Sequence, residues 1–93
     1  MTKKEKAAKI CAAYGSENQL RQTIEECAEL TKAICKEIRY GGKRSEIVEE
    51  AADVAVCLEH IKLLAGISER DFEGLIDYKL TRELKRLENR DKG

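Results

Sequence analysis

The 93-residue sequence contains no proline and no tryptophan, and it has a single histidine. Because proline interrupts helices most strongly, its absence allows long uninterrupted helices. Three tyrosines and one phenylalanine are too few for a base-stacking surface that binds nucleic acid. The 18 basic and 18 acidic residues leave no net charge that would attract a polyanion. We therefore expect an all-helical protein with no nucleic-acid partner.

Long apolar runs and paired cysteine motifs are also missing. No stretch reaches the roughly 18 apolar residues that a membrane span needs, and the lysines near the N-terminus precede no signal-peptide-like apolar run. The four cysteines, Cys11, Cys27, Cys35 and Cys57, form no C-x-x-C spacing, and His60 is the only histidine. A thiolate zinc site therefore has little support. Reduced thiols packed as small apolar groups are the simpler interpretation, and they favour a cytoplasmic location without a membrane partner.

Apolar residues at steps of three and four predict four helices, at about residues 3–14, 17–39, 46–65 and 69–88. Glycines separate them, and Gly41-Gly42 is the clearest turn. Ser16, Ser45 and Ser68 are the predicted N-caps. We expect residues 89–93 to fray. The fold class is all-α, a four-helix bundle-like single domain over residues 1–93.

Three helices carry an apolar stripe that we expect to face the core. In the second helix the stripe consists of Leu20, Ile24, Cys27, Thr31, Ile34 and Ile38. In the third it consists of Ile47, Ala51, Val54, Leu58, Ile61 and Ala65, and in the fourth of Phe72, Ile76, Leu80, Leu84 and Leu87. A chain this short buries only about 60% of its unfolded surface, so association with other chains is a common source of stability.

Two pairs of acids predict a divalent-cation site. Glu26 and Glu29 lie three residues apart in the second helix, as do Glu50 and Asp53 in the third. This spacing places each pair on one side of its helix, where like charges repel unless a cation lies between them. Magnesium prefers such oxygen ligands. A single pair is more typical of a solvated face, but antiparallel packing of two such helices places four carboxylates across one cleft.

Other polar residues fit a phosphate ligand. Gln19 and Gln22 share a face of the second helix with the acids. Lys79, Arg82 and Arg86 follow one another at steps of three and four on the fourth helix. A cationic stripe near a metal–carboxylate cleft suits a polyphosphate, although a solvated, salt-bridged face explains the same spacing.

The run E-E-x-x-E at residues 25–29, followed after 20 residues by E-x-x-D at residues 50–53, resembles the signature of the MazG-like all-alpha NTP pyrophosphohydrolases. The resemblance covers residues 14–86 and includes a Tyr-Gly lead-in and a basic K-x-x-R on the last helix. It implies hydrolysis of a nucleoside triphosphate to the monophosphate and pyrophosphate. The cofactor it implies is Mg²⁺, with Mn²⁺ as a substitute, bound by Glu26, Glu29, Glu50 and Asp53.

The same resemblance implies further roles. Lys79 and Arg82 would contact the phosphate chain, and Gln19 and Gln22 would contact the substrate elsewhere. Glu25 or Glu29 would accept the proton of the attacking water. The family's chains pair to build their sites, which implies a homodimer or a homotetramer. Cys57 stands where many relatives carry a larger polar or aromatic side chain, so the base preference stays open.

Several alternatives remain. A phosphoribosyl-ATP pyrophosphohydrolase shares the fold and the acids, and a non-catalytic helical interaction module would carry the acids as solvated residues. A di-iron bundle favours Glu-x-x-His pairs, which His60 does not complete. The Gly-Lys-Arg-Ser run at residues 42–45 lacks the spacing of a P-loop. We expect His60 to be a hydrogen-bonded histidine on a helix face and Cys27 to be a core residue.

Overall fold

The computed structural model describes all 93 residues, which form four α-helices and no strand. The helices are α1 (Lys3–Tyr14), α2 (Ser16–Tyr40), α3 (Arg44–Ala65) and α4 (Glu69–Lys92). Helix accounts for 89% of the residues, which confirms the all-α prediction. None of the four helices combines the length and the apolar character needed to cross a bilayer.

The helix ends agree with the sequence prediction only in part. The Ser68 hydroxyl accepts a hydrogen bond from the backbone N–H of Asp71 at 3.1 Å, so this cap is confirmed. The predictions for Ser16 and Ser45 are wrong, because both residues belong to the first turn of their helices and the N-cap positions are Gly15 and Lys43. Helix α4 continues to Lys92, beyond the predicted end at residue 88.

The turn between α2 and α3 makes the two helices antiparallel. Gly41 ends α2 in the left-handed conformation, at φ 66°, which glycine adopts without a side-chain clash. Its N–H donates to the carbonyl of Glu37 at 2.9 Å. Lys36 and Glu46 then form an ion pair across the two helices at 3.6 Å. The α2–α3 pair is the most extensive contact in the protein, and α1 packs against both helices.

Helix α4 is attached mainly at its N-terminal end. The ammonium group of Lys62 pairs with Glu59 at 2.7 Å and with Glu69 of α4, and it lies 5.1 Å from the centre of the Phe72 ring. Hydrogen bonds from Lys62 raise the pKa of its own ammonium group and lower the pKa of Glu69. No residue of α4 is buried. The bundle-like packing therefore involves α1, α2 and α3, and α4 extends from it.

The apolar stripes of α2 and α4 do not form the core of the protein, which corrects the sequence prediction for these two helices. On α2, Ile24 is 71% exposed and Ile38 is 81% exposed, and Cys27 is also exposed rather than buried. On α4, Leu80 is 61% exposed. The radius of gyration is 16.5 Å, compared with about 12 Å for a compact domain of this length. Helix α2 instead packs on α3 through its polar face.

Candidate metal centre

The two acidic runs meet where α2 packs against α3. Glu26 of α2 and Glu50 and Asp53 of α3 each bring a carboxylate oxygen within 4.8 Å of the other two. Glu26 and Glu50 are half-buried, and Asp53 is exposed. The antiparallel packing therefore unites three of the four predicted metal ligands in one cluster.

The cluster carries uncompensated negative charge. Partial burial raises the pKa of the Glu50 carboxyl, and the nearby carboxylates of Asp53, Glu29, Glu26 and Glu49 raise it further. No lysine or arginine forms an ion pair with Glu26, Glu50 or Asp53. A cation bound here would relieve the repulsion that the protein itself leaves in place.

The donor set fits a hard divalent cation. Three carboxylates from two helices supply only oxygen ligands, which magnesium and manganese accept. Magnesium binds its ligands at about 2.0–2.1 Å, so opposite ligands of its octahedron lie about 4 Å apart. The 4.8 Å limit on the oxygen separations is above that value, so the three carboxylates would have to move closer together around a bound ion. The exposed Asp53 leaves room for water and phosphate oxygens as further ligands.

Gln22 supports the cluster from α2. Its side-chain amide donates a hydrogen bond to a carboxylate oxygen of Glu26 at 2.7 Å. A carboxylate held in this way loses rotational freedom, and ligand carboxylates in metal sites are commonly hydrogen-bonded by such partners. Gln22 is a predicted substrate contact, and its four-residue spacing from Glu26 is one that brings two side chains together on a helix.

Glu29, the fourth predicted ligand, lies beside the three-carboxylate cluster rather than inside it. It lines a groove of about 270 Å³ together with Glu50. Lys32 lines the same groove and forms no ion pair. Glu25 is exposed and lines neither the groove nor the cluster. Of the two predicted proton acceptors, Glu29 is therefore the one that lies next to the predicted metal ligands.

The α2–α3 contact continues beyond the acids through Thr23 and Cys57. The pKa of the Cys57 thiol is raised, mainly by burial and further by the charges of Glu26, Cys27 and Asp53. A hydrogen bond with Thr23 opposes this shift. The Thr23 hydroxyl donates to the backbone carbonyl of Gln19 at 2.8 Å. Gln19, a predicted substrate contact, is only 6% exposed. Its side chain therefore lies in the interior rather than on an open surface.

The predicted phosphate contacts on α4 lie apart from the acidic cluster. Lys79 and Arg82 are exposed and form no ion pair, and Arg86 pairs with Glu83 of the same helix. Helix α4 makes no extensive contact with α2 or α3, and no ion pair joins these cations to the acids of the cluster. Lys32 is instead the unpaired cation that lines the groove beside Glu50. The sequence contained this signal, since Lys32 follows Glu29 by three residues on the same helix.

A comparison of the chain with models of protein families gives no match, and comparisons with curated proteins and with solved structures give none either.

Proposed function

We propose that this protein hydrolyses a nucleoside triphosphate to the monophosphate and pyrophosphate with magnesium as cofactor. The observation that carries the proposal is the cluster of Glu26, Glu50 and Asp53, whose carboxylates converge from two helices without a neutralising cation. The resemblance of the motif to MazG-like pyrophosphohydrolases supplies the reaction. A cytoplasmic location, where reduced cysteines persist, is part of the same proposal.

Each acidic residue has a role in this proposal. Glu26, Glu50 and Asp53 hold the cation, and Glu29 either completes its shell or accepts the proton of the attacking water from the adjacent groove. Bound magnesium supplies charge neutralisation at the triphosphate and activation of that water. Gln22 fixes the orientation of Glu26 through its hydrogen bond. No serine, cysteine or histidine nucleophile is required.

Lysine and arginine side chains then bind the phosphate chain. Lys32 lines the groove with Glu29 and Glu50, so its ammonium group can reach a phosphate oxygen on the same protomer. Lys79 and Arg82 need a different route, because α4 does not approach the acids of its own protomer. In a homo-oligomer, α4 of one protomer can bring these two cations to the cluster of its neighbour.

The exposed surface supports a homodimer or a homotetramer. A folded monomer of 10.5 kDa has an accessible surface of about 5,400 Å², whereas this protomer exposes 7571 Å². The excess of about 2,100 Å² per protomer, or about 4,200 Å² for two, is in the range of total area buried by obligate homodimers. The stripes on α2 and α4, with Ile24, Ile38 and Leu80 exposed, are the surfaces that such an assembly would cover.

A nucleotide panel tests the proposal. Standard ribo- and deoxyribonucleoside triphosphates and phosphoribosyl-ATP are incubated with the protein with and without magnesium, and pyrophosphate and inorganic phosphate are measured separately. We expect magnesium-dependent pyrophosphate release from at least one nucleotide, its loss in Glu50→Gln, and a raised KM in Lys32→Met. Glu17→Gln is the matched control, because Glu17 pairs with Arg21 on an exposed part of α2. Absence of turnover with every nucleotide would leave a non-catalytic helical module as the better reading.

A further inference from the structure

Helix α2 carries two neighbouring rows of side chains, and only one of them has a partner. The row that faces α3 contains the six residues of α2 that are buried or half-buried, which are Gln19, Thr23, Glu26, Leu30, Ala33 and Glu37. The second row, the apolar row, follows each of them by one residue and contains Leu20, Ile24, Cys27, Thr31, Ile34 and Ile38. Every residue of the apolar row is exposed. One residue turns a helix by about 100°, so the apolar row points almost at a right angle to the α2–α3 contact.

Helix α3 extends the apolar row into a face. The residues of α3 that face α2 are buried or half-buried and include Ile47, Glu50, Val54 and Cys57. The residue after each of these four is apolar and exposed, which gives the row Val48, Ala51, Ala55 and Leu58. Because α2 and α3 are antiparallel, rows displaced in the same direction from their contact lie on the same side of the pair. The two rows therefore form one surface, the apolar face, which contains no charged residue.

The acidic groove agrees with this geometry from the opposite side of the pair. The rows displaced by one residue in the other direction contain Glu29 and Lys32 of α2 and Glu49 of α3, and these residues line the groove together. Lys36 and Glu46 belong to the same two rows and form the ion pair at 3.6 Å. The layer formed by α2 and α3 therefore has its charged groove on one side and the apolar face on the other.

The composition of the apolar face indicates what covers it. Its row on α2 repeats at alternating steps of four and three residues, which is the spacing of helices that pack side by side. Its one hydroxyl, on Thr31, already donates to the backbone carbonyl of Cys27 at 2.9 Å, so burial leaves no donor unpaired. A face that meets its own copy must avoid charge, because each residue of a two-fold interface recurs on both sides. The uncharged apolar face meets that condition.

We propose that two copies of this protein pack through the apolar face, layer on layer, so that α2 and α3 of both copies form a four-helix bundle. This assigns a surface to the homo-oligomer of the proposed function, and it rests on that assembly but not on the nucleotide chemistry. The excess accessible area of about 2,100 Å² per protomer is the area that such a partner has to cover. Both acidic clusters then face outward, so a substrate reaches them without dissociation of the dimer.

Ala51→Glu tests the face from α3, because Ala51 is exposed and a charge there breaks no contact within one protomer. Light scattering at micromolar protein should give at least twice 10.5 kDa for the wild type and at most half the wild-type mass for the variant. Ala52→Glu is the matched control. It makes the same change about 100° further round α3, away from the face, and should keep the wild-type mass. The measurement needs neither nucleotide nor magnesium, so it is independent of turnover.

The native cysteines report the same contact without an added charge. Cys27 lies in the apolar row, Cys35 lies outside both rows of α2, and Cys57 is only 2% exposed within the protomer. In the wild type, iodoacetamide should modify Cys35 well before Cys27 and Cys57. In Ala51→Glu, Cys27 should react as fast as Cys35, whereas Cys57 should stay protected. Rapid reaction of Cys57 as well would show that the variant unfolds, and the wild-type rates then decide alone.

Two results would overturn the proposal. One is equal reactivity of Cys27 and Cys35 in the wild type, and the other is an unchanged molar mass in Ala51→Glu. A mass that falls in Leu84→Glu but not in Ala51→Glu would keep the homo-oligomer and assign its contact to α4 instead. A wild-type mass of 10.5 kDa would contradict both the apolar-face dimer and the homo-oligomer, whatever the outcome of the nucleotide panel.

Discussion

Glu26 of α2 and Asp53 of α3 bring their carboxylate oxygens within 4.8 Å of each other, although the second half of α2 and the turn between the two helices separate them in the chain. Their approach is a consequence of the Gly41 turn, which folds α3 back along α2. A carboxylate oxygen of Glu50 lies within the same 4.8 Å of both and completes the cluster. Like charges held this close disfavour the folded state unless a cation joins them.

Magnesium should stabilise the protein through the cluster. At a concentration a hundred times its Kd, a ligand that binds only the folded state adds about 2.7 kcal/mol to the free energy of unfolding. Thermal unfolding should therefore shift upward with magnesium in the wild type and in Glu17→Gln. We expect the shift to disappear in Glu50→Gln and Glu26→Gln. An equal shift in all four proteins would place the magnesium elsewhere.

Without metal, Glu50→Gln should be more stable than the wild type at neutral pH. The folded protein raises the pKa of Glu50, so this carboxyl contributes stability below its unfolded pKa, and that contribution is lost as the pH rises through its folded pKa. Glutamine lacks the charge and escapes this loss. Urea unfolding of both proteins at several pH values should show their stabilities converging as the pH falls below the unfolded pKa of Glu50. A variant less stable than the wild type at neutral pH would contradict the charge repulsion.

Glu29 should be more important for turnover than Glu25. Glu29 lines the groove beside Glu50, whereas Glu25 is exposed and lines neither the groove nor the cluster. A general base contributes about 10²–10⁴-fold to a rate, so Glu29→Gln should lower kcat by at least about a hundred-fold. Magnesium titration by calorimetry on the same variant separates a lost proton acceptor from a lost metal ligand. A larger loss in Glu25→Gln than in Glu29→Gln would reverse the assignment.

Charged substitutions in the exposed stripes should dissociate the proposed oligomer. Burying an isoleucine or leucine side chain stabilises a contact by about 1.5–3 kcal/mol, which corresponds to roughly ten- to a hundred-fold in Kd. Ile38→Glu and Leu84→Glu should each lower the molar mass measured by light scattering at micromolar protein. Ala12→Glu, which adds the same charge at an exposed position of α1, should leave the molar mass unchanged. A monomeric wild-type protein at that concentration would contradict the proposed homo-oligomer.

The periodicity of the sequence predicts the helices well because it is a local property. The glycines and the three- and four-residue steps locate α1 to α4 within a few residues, and the spacing of Glu26, Glu50 and Asp53 correctly identifies residues that meet. A pattern along one helix does not identify the surface that it faces, however. The stripe through Ile24 and Ile38 was predicted to be core, yet α2 uses its polar face to pack on α3.

The contacts of individual side chains could not be predicted from the sequence for a related reason. The unpaired nitrogens of His60 depend on which side chains the packing brings near them, and this produces no periodic signal. Gln22 and Lys32 are different. Each lies three or four residues from an acid on the same helix, so the spacing was visible in the sequence and only its importance was missed.

The most direct test follows the fate of the phosphates during turnover. The protein is incubated with magnesium and its best nucleoside triphosphate in water enriched in oxygen-18, and phosphorus NMR identifies the products. The proposed reaction predicts pyrophosphate without label and a nucleoside monophosphate that carries the heavy oxygen, with neither product formed by Glu50→Gln. Release of inorganic phosphate and a nucleoside diphosphate, or no magnesium-dependent product from any nucleotide, would contradict it.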